Sequence, residues 1–379
     1  MKQDELSIYL DHNASTPVLP DVLDAMLPWL RDHFGNPSST HVYGRTMHAA
    51  VEEARVRVAR LIECEPDEIF FTSGGTESNN LAIFGVTSAT PGRRHLVTSV
   101  IEHPATSGPC QRLEENGYSI FRAPVDRSGQ VVQSAVQETL SEETVLVTIM
   151  HANSETGTLQ PIREIAESAH RAGAWMHSDA AQSCGKVKIS VDFEQVDLLS
   201  IAGHKLYAPQ GVGALYVRAG TPIHPVLIGA GHERGLRPGT ENVASVVGLG
   251  KACEIAQDSL EQEGRRLSSL RDRLWHRLLE NIPGLALNGH PDKRLPNTLN
   301  VRFPGVSGNA LLAACPGIAA STGSACHEAG DSASAVILAM GVPEQEAVGS
   351  VRLTLGRGNQ EDDIEQAAMS LVRAWKGLI

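Results

Sequence analysis

Between residues 67 and 217 short apolar runs alternate with longer stretches of helical periodicity. That alternation predicts a mostly parallel sheet covered by helices, an α/β fold. The runs EIFFTS, RHLVTSV, TVLVTIM, AWMHSD, DLLSIAG and GALYV read as strands, with helices at Thr76 to Gly85, Pro104 to Asn116 and Ile162 to Ala172 between them. From Glu254 to Glu280 the leucines 267, 270, 274 and 278 recur at three and four residues, which predicts one amphipathic helix bridging to a second unit. NTLNVRF, GIAAST and VRLTLG then read as strands of a smaller α+β domain. A last helix follows, with Ile364, Leu371, Trp375 and Leu378 on one face and Asn359 as its start signal. The expected division is a large domain over residues 15–255 and a small domain from residues 1–14 and 256–379.

At 379 residues the chain has length for about two domains and a large core. Its net charge of -12, with basic residues no more clustered than Arg93-Arg94 or Arg265-Arg266, argues against capture of nucleic-acid phosphates. An aromatic content of 4% argues equally against a stacking platform for bases. The start MKQDELSIYLDHN lacks a basic end and an apolar core, and no apolar run could span a bilayer, so the expectation is a cytoplasmic protein. Six cysteines stand apart without C-x-x-C pairs or cysteine–histidine clusters; they read as reduced thiols, neither zinc site nor disulfide framework.

In open α/β sheets ligands sit at the carboxyl ends of the strands, and four such ends carry pointed chemistry. After EIFF, the turn Thr72-Ser73-Gly74-Gly75-Thr76 feeds a helix and aims backbone N–H groups at a small anion such as a phosphate. A plain capped turn would account for it as well. His103 follows RHLVTSVIE, where an imidazole could lie on a ring, move a proton or simply start a helix. Asp179 ends AWMHSD with Gln182 three residues on; a carboxylate there could hold a protonated ring nitrogen or cap the next turn. Lys205 lies between two apolar strands in LSIAGHKLYAPQGVGALYV. A poorly solvated amine at that point loses its charge and becomes a nucleophile toward carbonyls. Together these groups supply what pyridoxal phosphate requires: an amine, a carboxylate, an anion cradle and a ring-stacking group.

With these four in their order along the chain, ten blocks carry a resemblance: YLDHNASTP, GNPSS, FTSGGTESNNLAI, IEHPA, NSETG, HSDAAQ, GHKLYAPQGVGALYVR, GHERGLRPGTEN, STGSAC and VRLTLGR. Over essentially its whole length the chain resembles the cysteine desulfurase family of the class-V aminotransferase group. The resemblance implies the fold type I of pyridoxal-phosphate enzymes, with a seven-stranded sheet in the large domain, and a homodimer. Lys205 would bond the cofactor aldehyde, His103 stack on its ring and act as acid/base, Asp179 pair with the ring nitrogen, and Gln182 contact the ring hydroxyl. Gly75, Thr76 and His204 would hold the phosphate, with Thr240 from the second subunit; Ser154 would face the cofactor, and Asn36 and Arg352 would hold the substrate carboxylate.

The nucleophile of that family matches Cys326 in STGSACHEAGDSASA, a stretch poor in apolar anchors. The implied reaction converts L-cysteine to alanine and a Cys326 persulfide, whose sulfur passes to an acceptor protein for iron–sulfur assembly or another use. Cys184 is the second candidate thiol. Three features depart from the family pattern. Ser154 replaces a common asparagine, and Ala202 stands where a phosphate-binding serine is frequent, which predicts weaker cofactor retention. His327 and Glu328 directly follow Cys326 and look closer to selenocysteine lyases, the nearest alternative activity. A desulfurase dedicated to tRNA thiolation or DNA phosphorothioation would use the same site.

Overall fold

The computed structural model describes residues 8–323 and 333–379. Its strands are β1 Ile8–Tyr9, β2 Ile69–Thr72, β3 His95–Ser99, β4 Ser119–Ala123, β5 Thr144–Thr148, β6 Trp175–Asp179, β7 Leu198–Ala202, β8 Gly213–Val217, β9 Ala286–Asn288, β10 Thr298–Arg302, β11 Ile318–Ala319 and β12 Ser350–Thr354. Among the described residues, β2, β8, β7, β6, β5, β3 and β4 form a seven-stranded sheet in that order. Within it β4, β3, β5, β6 and β7 run parallel, and only β8 is reversed, pairing antiparallel with both β7 and β2. The carboxyl ends of β2, β3, β5, β6 and β7 therefore share one rim. All six strands expected in this region are present. The seventh, β4, is a largely exposed edge strand, so it lacks the apolar run that marks the others.

Side chains of alternate strand residues feed opposite faces of the sheet. Leu96, Leu146, Leu198 and Leu215 pack with Leu81, Ile83 and Val86 of helix Gly75–Ala89 on one face. Val97, Val147, Leu199 and Tyr216 pack on the other, with helix Val42–Ile62 and the first half of helix Val243–Asn281. This last helix begins eleven residues before the expected Glu254. Its first part, VASVVGLGKAC, is mostly buried, with only Val247 and Lys251 partly exposed, so no amphipathic period announces it. Gly250 lets it approach helix Val42–Ile62 closely, since a Cβ there would meet the Ala54 backbone at 2.7 Å.

The same helix reaches a second core, where Leu267, Leu270, Leu274 and Leu278 join Leu10, Leu299, Val351, Leu353 and Leu371. That core lies under the antiparallel sheet β12–β10–β9 and helix Glu361–Leu378. Two details of this helix differ from expectation. Gln360, paired with Asp363, is its cap, while Asn359 instead accepts the Gly356 N–H and donates to the Tyr9 carbonyl. Leu378, the last residue of the helix, is 42% exposed. The segment Ala335–Ala347 folds back, burying Val336, Ile337 and Met340 in the first core.

A buried ion pair fixes the loop that leads to Thr240. Arg55 donates through both Nη atoms to Glu233 (2.8 Å each), whose Oε2 also accepts the Phe71 N–H (2.7 Å). Glu233, Arg234 and Gly235 all take positive φ, a conformation the loop adopts only where such contacts impose it. Glu233→Gln removes the two-pronged counter-charge of a buried guanidinium and leaves it only the more exposed Glu52 (3.1 Å), and the expected loss is about 1–3 kcal/mol in urea unfolding. A loss below about 1 kcal/mol would show that the pair is dispensable.

Candidate active site

The shared rim of the sheet opens into a cavity of about 300 Å³. Gly75, Thr76, His103, Ser154, Asp179, Gln182, His204, Lys205 and Arg352, all expected at the site, line it together with Ala202. Thr240 and Asn36 do not; both are exposed, and Asn36 Oδ1 caps the Ser38 N–H (2.9 Å). Cys326, His327 and Glu328 lie outside the described residues. Cys184 is 2% exposed in the core and absent from the cavity lining, and burial pushes its thiol up to about 12. The five cysteines among the described residues are free thiols. Burial raises the four others too.

Each wall has a local cause. At the end of β2, Gly74 takes φ 149° and lies against Gly213 of β8, where a Cβ would come within 2.7 Å of the Gly74 Cα. The two glycines press the turn onto the sheet and start helix Gly75–Ala89 at the cavity. No side chain caps that helix start, so its first N–H groups and its positive dipole end face the opening. A Cβ on Gly75 would lie 3.2 Å from the Ala202 Cβ, which places Ala202 beside the same helix end.

His103 starts a helix and lines the cavity as well. Its Nδ1 accepts the Ala105 N–H (3.1 Å) at the start of helix Pro104–Glu115, which assigns the proton of the neutral ring to Nε2. Burial lowers its pKa, nearby Asp179 opposing and Lys205 assisting. Asp179 is likewise a turn cap, through Oδ1 to the Ala181 N–H (2.9 Å), and a cavity group. Its Oδ2 accepts from Asn79 Nδ2 (2.7 Å), and among the described residues no cation lies in ion-pair range of it. A buried carboxylate so placed suits a cationic N–H entering the cavity.

Lys205 closes the far side from a short turn, Gly203–Lys205, after β7. Its Nζ donates to the carbonyls of Asn13 (2.6 Å) and Ala14 (2.7 Å). Beside it, burial first and then the charges of Lys205 and Lys186 hold His204 at about 4, a neutral ring that an incoming anion would make more basic. Arg352, 2% exposed on β12, pairs with Asp11 (2.8 Å) and donates to the Ser154 carbonyl (3.2 Å). Its buried Nε has no partner among the described residues.

Sequence reasoning missed four residues that organise this rim. Asn79 orients Asp179; Asn13 and Ala14 receive Lys205; and Asp11 holds Arg352. All lie within YLDHNASTP and FTSGGTESNNLAI, blocks that carried the resemblance without a role for these positions. Among the described residues no cluster could hold a metal ion, and no helix is long and apolar enough to cross a membrane.

The class-V aminotransferase family model matches residues 8–367. A cysteine desulfurase IscS of Dictyoglomus turgidum is 45% identical over 360 residues, covering 94% of this chain and 91% of its own. A solved NifS-like protein superposes with a TM-score of 0.92 at 34% identity, over 98% of this chain and 100% of that one. A second solved structure, SspA in complex with cysteine, gives 0.82 at 35% identity over 92% and 98% of the two chains. The chain belongs to the cysteine desulfurases of the class-V aminotransferase family.

Proposed function

We propose that the protein removes sulfur from L-cysteine, releasing alanine and leaving the sulfur as a persulfide on Cys326. The observation that carries this reading is the meeting of Lys205, Asp179 and an uncapped helix end in one cavity. These residues fit pyridoxal phosphate: among the described residues no cation pairs with Asp179 and no side chain caps the first turn of helix Gly75–Ala89, beside which His204 lies, and Lys205 supplies the amine. When bound, the cofactor would supply an aldehyde and an electron sink for bond breaking beside the substrate α-carbon.

This chain's residues would then divide the work. Lys205 Nζ would hold the cofactor through its aldehyde and, when free of it, would carry the substrate α-proton. Asp179 Oδ2 keeps the ring nitrogen protonated, with Asn79 fixing its orientation. Gln182 meets the ring hydroxyl, and Ser154 faces the ring. Thr76, Gly75 and His204 hold the phosphate, joined by Thr240 of a second subunit in a homodimer. Arg352 receives the substrate carboxylate, for which its Nε, unpartnered among the described residues, has capacity. His103 Nε2 serves the sulfur end as acid/base. There the Cβ–S bond breaks, an S–S bond forms on Cys326, and Cβ gains a proton, so that alanine leaves. A solved relative that holds cysteine supports this substrate.

The large domain of this reading is built on the first core and the small one on the second, with the division near residue 255. A cytoplasmic setting suits reduced cysteines, and a sulfur-acceptor protein completes the turnover; iron–sulfur assembly is one such use. Incubation with L-cysteine should add the mass of a sulfur atom to the peptide carrying Cys326, removable by a thiol reductant. An unmodified peptide in protein that makes alanine would contradict the persulfide.

Ala202 bears on cofactor retention. Ala202→Ser puts a hydroxyl beside the Gly75 helix start, where a phosphate would accept it, and about tenfold tighter binding of pyridoxal phosphate is expected, worth roughly 1.4 kcal/mol. Equal affinity of the two proteins in equilibrium titration would remove the explanation.

A further inference from the structure

Lys186 has no part in the roles above, yet it stands directly behind Lys205. Its Nζ donates to Asn13 Oδ1 (3.4 Å) and Gln182 Oε1 (3.2 Å). The backbone oxygen of the same Asn13 accepts from Lys205 Nζ (2.6 Å) and from Gln182 Nε2 (3.0 Å). Asn13 is 1% exposed and is held in turn by donating to Thr298 Oγ1 (2.9 Å) and by accepting from Asn297 Nδ2 (3.1 Å). Two primary amines are thus tied to one rigid residue. Among the described residues no carboxylate lies in ion-pair range of Lys186.

We propose that Lys186 is a positioning residue for Lys205, a second ammonium whose charge, fixed through Asn13 and Gln182, repels a proton on the reacting amine. The proposal rests on the reading of Lys205 as the lysine that bonds the cofactor. Burial, then Lys205 and Arg352, push Lys186 down to about 7. That repulsion is mutual, so a charge on either amine disfavours a proton on the other.

The remaining charged groups around Lys186 leave this balance in place. Arg352 adds to the repulsion. Cys184 would oppose it only as a thiolate, and burial keeps that thiol protonated. His12, lowered to about 4 by burial and by Lys186, and His204, lowered alike, are neutral at physiological pH. Glu263 and Arg357, opposite in charge, line the small space behind the two lysines.

The test loads wild type, Lys186→Gln and Lys186→Arg with pyridoxal phosphate and follows the visible band of the lysine–cofactor bond against pH. In Lys186→Gln the midpoint should rise by about one unit, a tenfold change in proton affinity. In Lys186→Arg, whose guanidinium keeps its charge throughout, it should stay at or below the wild-type value. The midpoint does not depend on how much protein is loaded, so partial loss of cofactor leaves the reading intact. An unmoved midpoint in Lys186→Gln, or the same rise in both variants, overturns the proposal. Should Lys186→Gln fail to fold, a raised midpoint in Lys186→Arg overturns it alone. A band that survives in Lys205→Ala overturns the reading of Lys205 itself, and the proposal with it.

Discussion

Lys205→Ala is expected to lower alanine formation from L-cysteine by at least about 10³-fold and to abolish the visible band of the loaded protein. The size follows from losing two functions at one atom, the bond to the cofactor and the movement of the α-proton, each of which contributes typically 10²-fold or more. The fold should survive. The Asn13 and Ala14 carbonyls lose a donor at a cavity wall, and Asn13 remains held by Gln182, Thr298 and Asn297. Thermal melts and alanine assays on the same preparation check this. Activity within tenfold of wild type in a folded variant would place the reacting amine elsewhere, and Lys186 would then be the first residue to test.

Asp179→Asn is expected to cost about 10²–10⁴-fold in kcat, with a smaller change in KM. The substitution preserves size and leaves an oxygen for the Ala181 N–H. What it removes is the negative charge that would keep a ring nitrogen protonated, an effect on the reacting system more than on ground-state binding. The Asn79 amide, which donates to Asp179 Oδ2 at 2.7 Å, would face either an oxygen or a second amine. Steady-state kinetics decide the point: an unchanged kcat with a raised KM would make Asp179 a binding residue only.

Much of this architecture is legible in the chain because its physical signals are local. The inner parallel strands are buried on both faces and so write short, mainly apolar runs, as in TVLVTIM. The polar residue at the end of each marks the rim, which is why Asp179, His103, Thr76 and Lys205 could be named together. The signals that failed are of another kind. Strand β4 lies at an exposed edge, helix Pro20–Arg31 carries Pro28 within it, and the first part of helix Val243–Asn281 is mostly buried. The edge strand and the buried helix segment display no clean period, and a proline within a helix reads as its end. Asn13 and Ala14 act through backbone carbonyls, which no side-chain pattern reports. Lys186, in QSCGKVKI, looks like any polar residue after a turn until the fold sets it behind Lys205. His103 and Asp179 teach a further lesson: capping a helix or turn and lining the cavity proved compatible, since one ring nitrogen or carboxylate oxygen serves each purpose.

The central claim is that sulfur leaves L-cysteine through Cys326 on a site built around Lys205. Its most direct test is alanine formed from L-cysteine by the purified, pyridoxal-phosphate-loaded protein and by Cys326→Ala, measured side by side. The account predicts alanine from the wild type and essentially none from the variant. Equal alanine from both would contradict it by showing that the chemistry does not need that thiol, and alanine from neither would contradict the desulfurase activity itself.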